Sequence, residues 1–335
     1  MPELYPPGSH ASTTNPLTID DEPGAIMRMA RHREILEILK TYDLEESPRG
    51  ARAGDDNVDL IDALGSYFDH DREITRSVLG IDIYKYSHFE GDRQRIIPVI
   101  FKVLYDQTIK HCVEYEPAIF KEADFRNRFI STGDGGFHIF DTPIQALAFA
   151  VYLQANIATF NAGLMFPGVS RFLGGLTLRY ALTRDTVSRI DDNWFGAAII
   201  ANARILSRDA LNRCLIDEAT LAWFRVRIGT IESLVLVDAR AFEEIYDFVR
   251  TPQTTKSFLF SPRLQSAGIE KVPENHVREV NLQKVGVVTS KGAEFDIHNL
   301  YIQASLVHVA AHGKESRDTP LVVTLGNLNA SGISA

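Results

Sequence analysis

The chain has 335 residues, of which 45% are hydrophobic and 24% charged, an ordinary composition for a soluble globular protein with a sizeable core. Lysines and arginines number 35 against 44 aspartates and glutamates, which gives a formal net charge of −9. This acidic balance argues against a nucleic-acid polymer or an anionic membrane as the partner. The most apolar stretch, 144–160, is interrupted by polar residues and is shorter than a membrane-spanning helix. We therefore expect a cytoplasmic protein, since no secretory signal pattern opens the sequence.

The first part of the chain resembles an appendage to a larger domain. Residues 1–25 have the composition of a disordered arm, and 26–73 are expected to hold short N-terminal helices and a linker, with one helix over 26–44. From Ile74 onward the pattern changes to strand, helix, strand, strand, helix, strand. These expected elements are a strand over 77–84, a helix over 93–112, a hairpin over 129–140 and a helix over 143–163.

The pattern then continues with a strand in LTLRYALTRD and a helix over 195–211. This order predicts an α+β fold in which helices pack on a mostly antiparallel sheet, as one domain over 74–240. Residues 241–275 have few periodic features and are interpreted as a connector. Alternating apolar and polar residues over 276–328 predict a small second, β-rich module, a candidate sensor.

Two aspartates stand where strands are expected to end. Asp82 lies in GIDIYKYS at the end of the first strand, and Asp134 lies in the hairpin turn STGDGG. The Asp-Gly step is a strong turn signal, because glycine adopts the positive φ that tight turns need. Taken singly, Asp82 could cap a helix and Asp134 could be only a turn residue. Together at one sheet edge, two carboxylates would form a hard-oxygen site for Mg²⁺ or Mn²⁺ and phosphates.

The order of these motifs resembles the catalytic domains of class III nucleotidyl cyclases. The resemblance covers 74–240 and is carried by DIYKYS, the GDGG hairpin, the strand LRYALTRD and WFGAAIIANAR at a helix start. It implies a ferredoxin-like βαββαβ core that acts as a homodimer with composite active sites. It also implies a nucleoside triphosphate substrate and two divalent metal ions, Mn²⁺ or Mg²⁺.

The resemblance also implies roles for individual residues. Asp82, Asp134 and the backbone carbonyl of Ile83 would bind the metals, and Arg204 would stabilise the transition state from the opposite protomer. The segment 84–89 would bind the triphosphate through backbone N–H groups at a helix start. Its candidate nucleotide contacts are Tyr84, Tyr86 and Ser87.

The sequence departs from the family pattern at the transition-state asparagine. Ile200 occupies that position, four residues before Arg204. Asn202 is the nearest amide, but two helical residues turn it about 200° away from Ile200. Asn202 is therefore either a replacement brought round by a distortion of the helix or an ordinary helix residue.

The base-reading positions also depart from the pattern of the purine cyclases. Ile130 stands in place of a lysine or glutamate, and Asn193 in place of the second base-reading residue. An apolar Ile130 cannot pair with the edge of a purine, and unpaired polar groups cost free energy when desolvated. Arg128, on the same strand face as Ile130, could donate instead to a carbonyl of a smaller base.

In its overall arrangement the chain is similar to the bacterial pyrimidine cyclases of Pycsar antiphage systems. That similarity implies conversion of UTP to 3′,5′-cyclic UMP and pyrophosphate, as a second messenger that acts on a separate effector. The alternatives are an adenylyl or guanylyl cyclase, and a degenerate, non-catalytic nucleotide-binding homologue.

HVAAH at 308–312 has the histidine spacing of a zinc-binding helix but lacks the glutamate after the first histidine. Cys112 and Cys214 match no metal motif.

Overall fold

The structure is a computed structural model that describes residues 33–40, 74–190, 193–228, 276–290, 293–308 and 319–333. The chain divides into two compact units, residues 1–70 and 71–335. In the first unit, residues 33–40 form helix α1, inside the helix expected over 26–44. The expected arm at 1–25, most of the linker and the connector at 241–275 lie outside the described residues.

The second unit begins with the expected alternation of strands and helices. Its first elements are β1 (Ile74–Ile83), α2 (Gly91–Tyr115), β2 (Phe129–Ser131), β3 (Gly135–Phe140), α3 (Pro143–Asn161), α4 (Pro167–Leu173) and β4 (Leu178–Ile190). Those that follow are β5 (Asn193–Phe195), α5 (Ala197–Arg208), β6 (Cys214–Asp217), α6 (Glu218–Ile228), β7 (His276–Ser290), β8 (Ala293–His308) and β9 (Thr319–Leu325). Short 3₁₀ helices cover Tyr86–His88 and Glu122–Phe125.

The described strands form one mixed sheet in the order β2-β3-β1-β4-β6-β8-β7, with β5 paired to β4 and β9 to β8. Strands β2, β3, β1 and β4 are antiparallel to their neighbours, whereas β6 runs parallel to β4. With α2 and α3 as the two crossovers, this is the ferredoxin-like βαββαβ arrangement. The predicted α+β class and core topology are confirmed.

Alternating residues of β1 face opposite sides of the sheet. Leu79, Ile81 and Ile83 are buried in the main core, which α2 and α3 cover. Val78 packs on the other side, in a smaller cluster with Ala198 of α5. Residues with even numbers in β1, including Asp82, therefore belong to the face that α5 covers.

Helix α3 is the central element of the main core. It begins with a reciprocal capping pair, in which Thr142 accepts from the Gln145 backbone N–H and the Gln145 side chain accepts from the Thr142 N–H. Pro143 occupies its first turn, where a missing N–H costs nothing. Most of its residues are buried, which agrees with a helix that is apolar on all sides.

The C-terminal strands correct the expected domain boundary. Residues 276–328 were expected to form a separate module, but β8 pairs antiparallel with β6 through Cys214↔Leu300 to Asp217↔Ile297. Strand β7 then pairs along the length of β8, with two register shifts. The alternation identified the strands correctly, yet it could not show that their partner is an edge of the first domain's sheet.

Candidate functional site

The hairpin turn carries Asp134 to the end of β1. Gly133 adopts φ +100°, the left-handed region that glycine tolerates. Gly135 stands opposite Asp82, and a Cβ on this glycine would overlap the backbone carbonyl of Ile81. The Ile83 N–H donates to the Asp134 carbonyl oxygen at 3.2 Å and ties the turn to the strand. The two glycines therefore serve different purposes: one shapes the turn, and the other allows close approach.

Asp82 and Asp134 lie close enough at this sheet edge for the charge of Asp134 to act on Asp82. Burial raises the pKa of Asp82 above its usual range, the Arg179 guanidinium beside it lowers that pKa, and the charge of Asp134 raises it again. Asp82 forms an ion pair with Arg179, in which both side chains are about four-fifths buried, with 21% and 23% exposed. Two carboxylates on the lining of one cavity are a suitable donor pair for a divalent cation.

A cavity of about 330 Å³ opens over these carboxylates. It is lined by Asp82, Ile83, Tyr84, Lys85, Tyr86, Ser87, His88, Asp134, Arg179 and Ala210. The described residues contain no group of three or more histidine, cysteine, aspartate or glutamate side chains arranged for a metal. The donor set is thus two carboxylates with Ile83 beside them, which fits a hard cation that takes further oxygen ligands from a phosphate or water.

The segment after Asp82 forms the floor of the cavity. The Tyr84 N–H donates to the Thr177 carbonyl at 2.9 Å, and Lys85 adopts a left-handed conformation that starts the short 3₁₀ helix Tyr86–His88. Tyr86 donates its hydroxyl to the Gln94 carbonyl at 2.9 Å and so packs the segment onto α2. Tyr84, Tyr86 and Ser87 all line the cavity, as their predicted role in nucleotide binding requires, although the Tyr86 hydroxyl is already hydrogen-bonded.

Asn202 lies on the wrong side of α5 for the tentative catalytic role. Its side chain is fully buried, and its amide nitrogen donates to the carbonyl oxygens of Val78 and Ala181, both at 2.9 Å, and to the Thr183 hydroxyl at 3.2 Å. Helix α5 is regular here, so no distortion brings this amide round to the position of Ile200. The amide binds the helix to β1 and β4, which makes Asn202 a structural residue.

Ile200 and Arg204 lie on the opposite side of α5, one turn apart. Ile200 is 38% exposed, and Arg204 donates to the Thr289 carbonyl of β7 at 3.4 Å. Residues four apart share a helix face, so these two lie on the side of α5 away from the buried Asn202, and Arg204 also reaches the edge strand β7. Arg204 is absent from the lining of the cavity over Asp82 in its own chain.

The base-reading candidates Ile130, Asn193 and Arg128 lie in or next to β2 and β5. Ile130 packs against the cluster that contains Trp194, and Asn193 is exposed beside that tryptophan. Arg128 donates to Asp141 at 2.9 Å, and Arg76 approaches the same carboxylate oxygen at 3.1 Å. Because β2 runs from Arg128 toward the turn, Arg128 lies at the far end of the hairpin from Asp134.

Arg179 is the site residue that sequence reasoning missed. It stands alone among apolar neighbours in LRYAL, and a charged residue inside an otherwise apolar strand was the available signal. Its register partner on β1 is Asp82, which no local pattern could reveal. Ala210 also lines the cavity without having been selected from the sequence, whereas Lys85 and His88 belong to the predicted triphosphate-binding segment 84–89.

The remaining candidates add no chemistry. Cys112 and Cys214 are buried free thiols, and burial raises the pKa of both. Of the HVAAH histidines, His308 ends β8 and His312 lies outside the described residues. Across the described ranges, no helix combines the length and apolarity that a membrane crossing needs.

Neither a protein-family model nor a curated protein sequence matches the chain. Solved structures with a similar chain course include the adenylyl cyclase CyaB from P. aeruginosa, at 11% identity and TM-score 0.37 over 73% of this chain and 96% of that one. Another is the guanylate cyclase domain of RhGC from Catenaria anguillulae in complex with GTP, at 13% identity and TM-score 0.38 over 68% and 96%. The catalytic core of a rhodopsin-guanylyl cyclase with converted specificity matches at 12% identity and TM-score 0.39, over 68% and 94%. This likeness is too distant to assign an activity.

Proposed function

We propose that the protein is a nucleotidyl cyclase that converts UTP to 3′,5′-cyclic UMP and pyrophosphate. The observation that carries this proposal is the pair Asp82 and Asp134, held side by side over one cavity by the register Asp82↔Gly135. In the reaction the ribose 3′-hydroxyl attacks the α-phosphorus, the bond to the pyrophosphate oxygen breaks, and the hydroxyl proton leaves to solvent. The cavity has the polar lining that a triphosphate requires.

The chain's own residues would bind and orient the nucleotide. Asp82, Asp134 and the Ile83 carbonyl would hold two Mn²⁺ or Mg²⁺ ions, which supply Lewis acidity at the hydroxyl and the phosphates. Lys85 and the backbone around Ser87 would face the triphosphate, since both line the cavity. In such a reaction catalysis consists largely of positioning and of electrostatic stabilisation.

A homodimer would complete the site. Arg204 lies with Ile200 on the side of α5 away from Asn202 and is not among the residues that line the cavity of its own chain. A second protomer packed on this face would bring its Arg204 to the α-phosphate, where negative charge grows in the transition state. The exposed Ile200 beside Arg204 supplies apolar surface for such a contact.

The apolar Ile130 supports a pyrimidine base over a purine. It belongs to a packed cluster with Trp194 and offers no hydrogen bond to a purine edge. For Arg128 to contact a uracil carbonyl, it would exchange or share its ion pair with Asp141. The cyclic nucleotide would act as a cytoplasmic second messenger on a separate effector, in antiphage defence.

The direct test is incubation of the purified protein with Mn²⁺ and each of ATP, GTP, CTP and UTP, with products resolved by mass. Cyclic UMP is expected as the main product. Cyclic AMP or cyclic GMP as the main product would favour the purine alternative and refute the pyrimidine proposal. An absence of any cyclic product would favour the degenerate homologue, which the burial of Asn202 and the isoleucine at position 200 also favour.

A further inference from the structure

The guanidinium of Arg179 is bound at two points on two different elements. Its Nε donates to a carboxylate oxygen of Asp82 on β1, and its Nη1 donates to the backbone carbonyl of Asp209, at the end of α5. Ala210, next to Asp209, lines the same cavity as Asp82 and Asp134. The Arg179 cation is thus held between Asp82 and Asp209, and its direction depends on the position of the Asp209 carbonyl.

Asp209 is fixed in turn by Arg213. Arg213 donates from Nη2 to Asp209 Oδ1 at 2.6 Å and from Nε to the same oxygen at 3.1 Å, with only 1% and 2% of the two side chains exposed. The Arg213 carbonyl also accepts from the Tyr180 N–H at 2.8 Å, directly beside Arg179. A buried, hydrogen-bonded ion pair of this kind is costly to disrupt, so the position of the Asp209 carbonyl is well determined.

The last described segment of the chain, 326–333, holds Arg213 from the other side. The Nη1 of Arg213 donates to the carbonyl oxygens of Asn329, at 3.2 Å, and of Ser331, at 2.6 Å. Asn299 of β8 donates to the Asn327 carbonyl at 2.7 Å, which anchors the start of the segment to the sheet. A path of hydrogen bonds therefore runs from the C-terminal segment through two guanidinium groups to Asp82.

A divalent cation at Asp82 would have to share the Asp82 carboxylate with Arg179 or compete with Arg179 for it. Both are positive, and both are attracted to the same partly buried carboxylate. Asp82 and Asp134 bring two carboxyl groups to the site, and Arg179 is hydrogen-bonded to one of them. Like charges close together repel strongly where water is partly excluded.

We propose that Arg179 is the built-in counterion of the two-carboxylate site, that it lowers the affinity of the site for divalent metal, and that the C-terminal segment sets its direction. This inference rests on the proposed metal-binding role of Asp82 and Asp134. Arg179 is a positioning residue: it orients Asp82 and limits metal binding until a triphosphate brings its own negative charge. Metal and nucleotide would accordingly bind in a coupled way, each weakly without the other.

The test measures Mn²⁺ binding to the full chain without nucleotide, by the loss of the free Mn²⁺ signal in electron paramagnetic resonance. Arg179→Gln is expected to bind Mn²⁺ more tightly than wild type, on the order of tenfold, because one positive charge is removed beside the site. Arg179→Lys keeps the charge but cannot reach both acceptors at once, so its Mn²⁺ affinity is expected to lie between those of wild type and Arg179→Gln. Thermal unfolding confirms that each variant is folded.

The proposed role of the C-terminal segment 326–333 is tested with two truncated chains. A chain that stops after Leu328 loses the carbonyls of Asn329 and Ser331, and is expected to bind Mn²⁺ more tightly than wild type because Arg179 is held less firmly. A chain that stops after Ile333 keeps both carbonyls and is the matched control, with unchanged affinity expected. Equal affinities for the two truncated chains would overturn the role of the segment.

The outcomes separate this inference from the proposed function. If wild type binds Mn²⁺ and Arg179→Gln binds it equally or more weakly, the counterion role is wrong while the metal site stands. If only the variant binds, the counterion role is supported. If neither binds Mn²⁺, and the Asp82→Asn control is no different, both the metal site and this inference are overturned.

Discussion

The side-chain amide of Asn202 lies directly over Gly80, where a Cβ on the strand residue would overlap the amide oxygen. Glycine at this position lets α5 approach the sheet closely enough for the amide nitrogen to reach carbonyls on both β1 and β4. The contact fixes the rotation of α5 about its axis. It thereby turns Ile200 and Arg204 to the opposite side of the helix, where Ile200 is 38% exposed and Arg204 reaches β7.

Asn202→Ala is expected to destabilise the protein by about 1–3 kcal/mol, since two buried carbonyls lose their donor. Asn202→Asp should cost more, because a carboxylate oxygen would then face those carbonyls. Urea unfolding measures both losses. Cyclic-nucleotide production per folded molecule should fall only modestly in the Ala variant. A hundredfold loss of turnover at unchanged stability would restore the catalytic interpretation of Asn202.

Asp134→Asn is expected to lower turnover by more than about 100-fold while the fold is retained, because the amide is a poor ligand for a hard cation. The turn does not depend on the carboxylate, since its backbone contacts to Ile83 involve only the main chain. Thermal unfolding and product mass are measured together. Asp106→Asn is the control, because Asp106 pairs with Lys102 at the surface of α2, at 2.9 Å, and does not line the cavity. Turnover that survives in Asp134→Asn would contradict the two-carboxylate site.

Local patterns predicted the elements of the core and the approach of Asp82 to Asp134, because period-2 and period-3.6 repeats and the Asp-Gly turn are short-range signals. The same signals could not reveal the Arg179 partner of Asp82, since residues 97 positions apart meet only through strand register. The prediction of a separate C-terminal module was wrong for the same reason. Strand alternation shows which face of a strand is buried, but it does not show which strand lies beside it. The substrate base stays a prediction, because no local pattern places Ile130 or Arg128 relative to a nucleotide.

Arg128→Ala is expected to change the preference for UTP over CTP, because a guanidinium donor matches the two carbonyls of uracil better than the single one of cytosine. Arg76→Ala is a matched control, since Arg76 contacts the same oxygen of Asp141. It should leave the UTP to CTP ratio unchanged while removing a comparable ion pair. The ratio of kcat/KM for the two substrates is the measurement. Equal ratios in wild type and both variants would exclude Arg128 from base recognition.

His138 should make the protein sensitive to acid. Burial lowers the pKa of His138 from 6.5 to about 3, and its Nδ1 is hydrogen-bonded to the Tyr105 hydroxyl among stacked aromatic rings. The pKa of His138 is lower in the folded protein than in the unfolded chain. The contribution of neutral His138 to the free energy of unfolding is therefore complete above pH 6.5 and is lost as the pH falls toward 3. The slope for one proton is about 1.4 kcal/mol per pH unit.

The double variant Tyr105→Phe, His138→Phe removes this titrating group without leaving the hydroxyl unpaired. Between pH 7 and pH 5, its loss of unfolding free energy should be smaller than that of wild type by about 2 kcal/mol, since only the interval below 6.5 contributes. Urea unfolding at the two pH values measures the difference. Tyr105→Phe alone keeps the histidine and serves as the control, with an acid sensitivity like that of wild type. Identical pH dependence in the double variant and this control would mean that His138 is not held neutral in the folded protein.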